Sequence, residues 1–473
     1  MRAPLQRALV TGLLSLGILV ATLSLVAIGL SGIANGQPPS ATSGPYPPVK
    51  DPDVAKGYYV AVQGDCVGCH TVPGGLPFAG GRPLVTPFGT IYSANITPDK
   101  DAGIGRWSAD DFYRALHEGK APDGHLYPAF PYNYYTRIGR ADSDALFAYL
   151  RSLPPSPNRS PRNDLPFPFN IRALMMGWNL LFLDVGEYKP DPAKSAAWNR
   201  GAYLVEGPGH CAACHTPKNL FGAPRTSRDY HGGDIGNGWY APDITPNKRT
   251  GIGGWSDEEL FQYLKTGRNV HANAAADMGE VVAYSTSRMT DDDVRAIIAY
   301  LRDRPARADD SPEKPDPAVM KAGEAVYIDT CAACHRMDGA GSMAMFPRLP
   351  GSPNLQQPNP GTLIRVLLVG SRSLPTDARP TPTSMPAFNW KLRDEQIAAV
   401  ATYVRNSWGN AAAPVDVDTV TKMRKALGAD RRTLPDGFPT DMHHPNPETV
   451  SSPHTDSRQN GTDQAGTAAL GQP

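Results

Sequence analysis

Apolar residues recur at three- and four-residue spacing in Asp144-Ala145-Leu146-Phe147-Ala148-Tyr149-Leu150 and in Val294-Arg295-Ala296-Ile297-Ile298-Ala299-Tyr300-Leu301. This spacing predicts amphipathic helices with one buried face. Helix starts are marked by Ser108 with Asp111, Ser256 with Glu259 and Thr290 with Asp293, the spacing of a capping box. Two longer apolar runs stand apart from this pattern. Leu9 to Ile33 carries no charge and, as a helix, would extend roughly 37 Å, more than a hydrocarbon core needs. Ile171 to Leu183 is too short to span a bilayer and predicts either a packing segment between domains or an interfacial helix with Trp178 at headgroup depth. After Asn410 the chain turns polar and proline-rich, and 451–473 reads as disordered, with His443, His444 and His454 as solvated tail residues.

The periodic segments belong to a unit that occurs three times. The first runs from Lys56-Gly57-Tyr58-Tyr59 to Ala148-Tyr149-Leu150-Arg151, and the second from Arg200-Gly201-Ala202-Tyr203 to Ala299-Tyr300-Leu301-Arg302. The third, more diverged, runs from Ala322-Gly323-Glu324 to Thr402-Tyr403-Val404-Arg405. Units one and two also share Asn95-Ile96-Thr97-Pro98 with Asp243-Ile244-Thr245-Pro246, and Gly103-Ile104-Gly105-Arg106-Trp107-Ser108 with Gly251-Ile252-Gly253-Gly254-Trp255-Ser256. Each unit predicts an opening helix and a closing helix that cross, joined by loops, so the expected fold class is all-α. Proline clusters at Pro154–Pro157 and from Pro305 to Pro317 mark linkers. The expected boundaries are 1–36 for the N-terminal apolar segment, 45–155 for unit one and 156–192 for a linker. Units two and three cover 193–306 and 316–409, and a polar tail covers 410–473.

Lysine plus arginine equals aspartate plus glutamate at 46 each, so no bulk field favours nucleic acid. The 48 prolines and 46 glycines suit loop-rich domains of small core. Arg2 and Arg7 precede the apolar run and no further charge appears until Lys50, a pattern open to a cleaved signal or a retained anchor. Either one places the units on the periplasmic side of a bacterial inner membrane, with positive-inside orientation.

All six cysteines fall in three Cys-x-x-Cys-His motifs: Cys66-Val67-Gly68-Cys69-His70, Cys211-Ala212-Ala213-Cys214-His215 and Cys331-Ala332-Ala333-Cys334-His335. This is the attachment signal of c-type haem, in which both sulfurs become thioethers and the histidine ligates iron. A zinc site would need a second ligand pair at short spacing. A dithiol exchanger would have no use for three histidines. The expectation is three covalent haem c groups, on Cys66 and Cys69, Cys211 and Cys214, and Cys331 and Cys334, with iron on His70, His215 and His335.

A low-spin electron-transfer haem takes a second axial ligand, commonly a methionine. Met385, in Thr383-Ser384-Met385-Pro386, is the candidate in unit three, ahead of Met343 and Met345. In unit two the candidate is Met278, in a loop, whereas Met289 beside the helix cap at Thr290 reads as core. Unit one has no methionine between His70 and Met175, and Phe130-Pro131 stands where unit three has Met385-Pro386. His125 is the expected replacement; Met175 or Met176 reaching back, or a five-coordinate iron, are the alternatives. His117 lies on a predicted helix and reads as surface or core.

The repeated Asn/Asp-Ile-Thr-Pro and Gly-Ile-Gly-x-Trp-Ser, with His125-Leu126-Tyr127-Pro128-Ala129-Phe130-Pro131-Tyr132, Gly207-Pro208-Gly209-His210-Cys211 and Val282-Ala283-Tyr284-Ser285-Thr286, resemble one family. It is the tri-haem cytochrome c subunit of bacterial membrane-bound dehydrogenases, and the resemblance covers Asp53 to Asn410. It implies three tandem cytochrome c domains and an electron-transfer role without substrate chemistry. Electrons would come from a large catalytic subunit of PQQ, FAD or molybdenum type and pass to ubiquinone or a terminal oxidase at the membrane. Met278 and Met385 match the family's ligand positions, whereas family members often carry methionine where Phe130 stands. Two other functions fit the motifs: a haem enzyme open at the first iron, and a freestanding multihaem carrier.

Overall fold

The computed structural model describes residues 46–47, 51–342 and 345–428. The N-terminal apolar run, Met343 and the tail beyond residue 428 lie outside them. Helices dominate, and among the described residues no helix is long and apolar enough to cross a membrane.

Each unit is organised around one helix crossing. The opening helices Ala55–Gln63, Ala196–Glu206 and Pro317–Thr330 pack across the closing helices Arg140–Ser152, Asp291–Arg302 and Asp394–Asn406. The glycine in each opening signature sits at the point of contact. A Cβ on Gly57 would stand 1.9 Å from the Ala145 carbonyl oxygen, on Gly201 1.9 Å from that of Ala296, and on Gly323 2.2 Å from that of Ala399. Tyr149, Tyr300 and Tyr403, the tyrosines of the closing signatures, lie beside the same glycines. Only a residue without a side chain lets the two backbones approach so closely. The crossing brings the end of each opening helix, and the Cys-x-x-Cys-His turn that follows it, against the body of its unit.

Local chemistry sets the helix ends. Ser108 and Ser256 make reciprocal capping boxes with Asp111 and Glu259. Thr290 also caps its helix, accepting from Asp293 N, but the Asp293 carboxylate turns away to Arg200 and Tyr59. His117, at 2 % exposure, belongs to the core of unit one.

The all-α expectation needs one refinement. Four two-stranded antiparallel ribbons occur among the described residues: Pro83–Thr86 with Gly89–Tyr92, Lys120–Ala121 with Gly124–His125, His231–Gly236 with Trp239–Asp243, and Ser371–Arg372 with Ser384–Met385. Each lies in a loop between helices, where backbone groups unpaired by helix find partners in a ribbon.

Units one and two share one continuous hydrophobic core, in which Leu146 and Tyr149 join Leu204, Ile297 and Tyr300. Unit three has its own, around Tyr327, Ile364, Leu368 and Ile397. At the first junction Tyr59 donates to Asp293 Oδ2 at 2.7 Å and accepts from Thr290 N at 2.9 Å. At the second, Thr362 Oγ1 donates to the Tyr240 carbonyl at 3.0 Å and accepts from Tyr240 N at 2.8 Å.

The Ile171–Leu183 run forms the short helix Met175–Phe182. Trp178 is buried rather than placed at an outer surface: its ring meets Tyr132 edge-on at 6.0 Å and its Nε1 donates to the Phe221 carbonyl at 3.0 Å. Leu174, Met176 and Leu180 are exposed on the same segment. One side packs between units, and the other faces out.

Candidate haem-binding site

The three Cys-x-x-Cys-His motifs form short helical turns, Cys66–His70, Ala212–His215 and Ala332–His335. In each, the histidine Nδ1–H donates to a backbone carbonyl: His70 to Ala94 at 2.7 Å, His215 to Pro242 at 2.6 Å and His335 to Pro347 at 3.3 Å. Burial pushes all three imidazoles below their ordinary pKa, against the smaller upward pull of the carbonyl. A neutral ring with its Nδ1 proton engaged leaves the Nε2 lone pair as its donor to a metal, the usual outer-sphere support of a ligating histidine.

The accepting carbonyls explain a repeat that had no role at the level of sequence. Ala94 and Pro242 immediately precede Asn95-Ile96-Thr97-Pro98 and Asp243-Ile244-Thr245-Pro246. Asn95 Oδ1 accepts from Thr97 N at 2.9 Å, and Asp243 Oδ1 from Thr245 N at 2.7 Å. These Asx turns stiffen the backbone whose carbonyl orients the imidazole. The threonine after each histidine acts similarly: Thr71 Oγ1 accepts from Phe78 N and Thr216 Oγ1 from Tyr230 N, both at 3.1 Å.

Beside His70 lies a cavity of about 2660 Å³, lined by Cys66, Cys69, Phe130 and Met175 among others, and reaching Cys214 of unit two. Apolar walls, two cysteine sulfurs and a histidine oriented from behind fit a covalently attached haem. They fit thiolate chemistry poorly. As free thiols, Cys66 and Cys211 are pushed by burial to about 12, and Cys331 to about 11.

Phe130 stands across from His70, with ring centroids 6.4 Å apart and planes near perpendicular. His125, the expected ligand of unit one, is not among the residues lining this cavity. It sits on the Gly124–His125 strand with Nδ1 buried and without a partner, and its carbonyl accepts from Arg172 Nε at 2.8 Å. Met175 does line the cavity, at the start of its helix. The cause is the register of the loop: the turn through Tyr127 to Tyr132 carries Phe130, not His125, to the face of His70.

Met278 lies on a five-residue helix, Ala276–Glu280, where a loop was expected, and this runs into a π-helical turn, Val281–Ser285. Met289 is core, at 4 % exposure. Met385, half-buried, sits on its two-residue strand against the core of unit three.

A feature that sequence reading missed adjoins both of the first two units. Arg82 and Glu280 form a buried bidentate pair at 2.7 and 3.0 Å, 198 residues apart. Arg82 Nη1 also donates to the Gly68 carbonyl, inside the first attachment turn. No local pattern marks either residue, because the pairing exists only once the units are docked.

A family model described as Cytochrome c matches residues 199–304 and 320–408. The chain is 40% identical over 394 residues to the gluconate 2-dehydrogenase cytochrome c subunit of Pantoea cypripedii, covering 79% of this chain and 89% of that one. It is 40% identical to the fructose dehydrogenase cytochrome subunit of Gluconobacter japonicus, covering 79% and 83%. It is 38% identical to the cytochrome c subunit of the quinone alcohol dehydrogenase of Gluconacetobacter polyoxogenes, covering 84% and 87%. The chain thus belongs to the family of cytochrome c subunits of bacterial dehydrogenases, non-catalytic electron-transfer subunits that hold haem c covalently.

Proposed function

We propose that this chain holds three haem c groups in three tandem cytochrome c domains, at 45–155, 193–306 and 316–409. In this reading it takes electrons from a separate catalytic subunit of PQQ, FAD or molybdenum type and delivers them to ubiquinone or a terminal oxidase. It works at the periplasmic face of the inner membrane, with residues 1–36 as signal or anchor. The observation that carries the reading is the threefold arrangement of an attachment turn whose histidine is oriented by a backbone carbonyl.

Haem c, when bound, supplies one-electron chemistry at iron. The chain's own residues bind and tune. The six cysteines hold the ring edge, and His70, His215 and His335 present Nε2 to the metal. Met278 and Met385 supply thioethers, which raise potential relative to imidazole. Apolar walls exclude water and raise it further.

Mass spectrometry of the exported protein should find three haems, each lost with one motif when its two cysteines are replaced by alanine. Affinity purification from detergent extract should recover a dehydrogenase catalytic subunit, and its identity would settle the substrate. A protein carrying fewer haems, or purifying alone, would overturn the reading.

A second reading concerns the first unit alone. Phe130, which has no lone pair to give, stands across from His70 while His125 lies off the cavity wall. This favours an iron open to a small ligand there, or one reached by Met175, which does line the cavity.

A further inference from the structure

The segment bearing Met278 is poorly equipped to hold itself in place. It is little more than one helical turn, it starts at Ala276 with φ of +50°, and it leads directly into the π-helical turn. An L-residue at positive φ is strained, and so short a helix has no stability of its own. Its support comes from the neighbouring units instead. Glu280, 8 % exposed, ends the helix and is held by Arg82 of unit one, 7 % exposed, which also grips the Gly68 carbonyl. Ser285 Oγ donates to the Gln63 carbonyl, at the end of the opening helix of unit one, at 3.4 Å. On the other side Asn273 Nδ2 reaches Met345 O and Thr383 Oγ1 of unit three, both at 3.2 Å. A Cβ on Gly279 would come within 2.8 Å of Leu374 Cδ1, also in unit three.

We infer that Arg82 is a positioning residue for the axial methionine of the second haem, setting Met278 on iron through Glu280 from a different unit. The inference rests on the assignment of Met278 as that ligand. Two anchors on one carboxylate, with bidentate geometry, fix both the distance and the rotation of the helix end. Met278 is two residues from that carboxylate, so loss of the pair frees the thioether to leave iron.

The test uses the full-length, haem-loaded protein with Arg82→Met and Glu280→Met together, which removes both members of the pair at once. The readouts are covalent haem content, the long-wavelength absorption of methionine-ligated ferric haem, and a redox titration. With two methionine-ligated haems at the start, the absorption should fall to about half while haem content holds, and one potential should drop. Undiminished absorption with unchanged potentials overturns the inference. Should the double variant fail to mature, Glu280→Gln keeps the shape and should lose part of the same absorption; full retention there also overturns it. Tyr59→Phe loosens the same junction at a different point and should leave the absorption whole; an equal loss would mean general loosening instead of positioning. Met278→Ala separates the two layers. If it loses the absorption and the double variant keeps it, only the role of Arg82 falls; if Met278→Ala keeps it, the ligand assignment falls as well.

Discussion

At the scale of single residues, the difference between units one and three that bears most on chemistry is Phe130. Phe130 stands across from His70, where unit three has Met385, and a phenyl ring offers iron no electron pair. Carbon monoxide should therefore bind the reduced protein and shift the Soret band of about one haem in three. Phe130→Met should abolish that binding and raise one potential, because a thioether would complete the coordination. Were carbon monoxide to leave the spectrum unchanged, an iron open at Phe130 would be ruled out and His125 or Met175 would regain standing. The three Cys-x-x-Cys-His turns were legible from the motif alone, since covalent attachment would need two sulfurs and an imidazole at fixed local spacing. Which residue faces His70 was not. The turn that reaches it takes its register against the motif from folding, and His125 and Phe130 are five positions apart along it.

At the scale of elements, the helix crossings are the feature most exposed to test. Gly201→Ala would drive a methyl to 1.9 Å from the Ala296 carbonyl, and backbone cannot yield as a side chain can. The two helices must separate, at a cost of about 1–3 kcal/mol or more, read as a lowered melting temperature of haem-loaded protein. Gly57→Ala should behave alike, by the same contact with Ala145. Ser256→Ala removes a capping box and should cost about 1 kcal/mol in the same measurement, with haem content intact. Helix periodicity and caps made these elements readable, since both depend on neighbours within four residues. The ribbons were not anticipated, because strands of two to six residues are too short for alternation to register.

At the scale of the whole molecule, the first two units behave as one body with a shared core, and polar contacts stitch their seam. Asp293 is central there. Burial raises its pKa, but hydrogen bonds from Arg200 and Tyr59 outweigh this and hold it below the ordinary carboxylate range. A carboxylate with a depressed folded value stabilises fully above its unfolded pKa, and the gain is lost as pH falls through the folded value. The Asp293 contacts, to Arg200 within unit two and to Tyr59 across the seam, should thus hold at neutral pH and weaken as pH falls below the ordinary carboxylate range. Asp293→Asn should flatten that acid limb in urea unfolding followed from pH 2 to 6. Tyr59→Phe, which removes the hydroxyl bridging Asp293 and Thr290, should cost about 1 kcal/mol at neutral pH, measured by denaturant midpoint.

What could be read from the chain alone was encoded at short range: three Cys-x-x-Cys-His motifs, three repeated units, helix faces and caps, and the family they resemble. Each depends on covalent spacing or on the pitch of a helix, so a window of a few residues carries it. What emerged from folding was long-range: Phe130 rather than His125 facing His70, a core common to two units, and Arg82 reaching Glu280 across 198 residues. Those contacts depend on how loops close and units dock, and no local periodicity records the outcome.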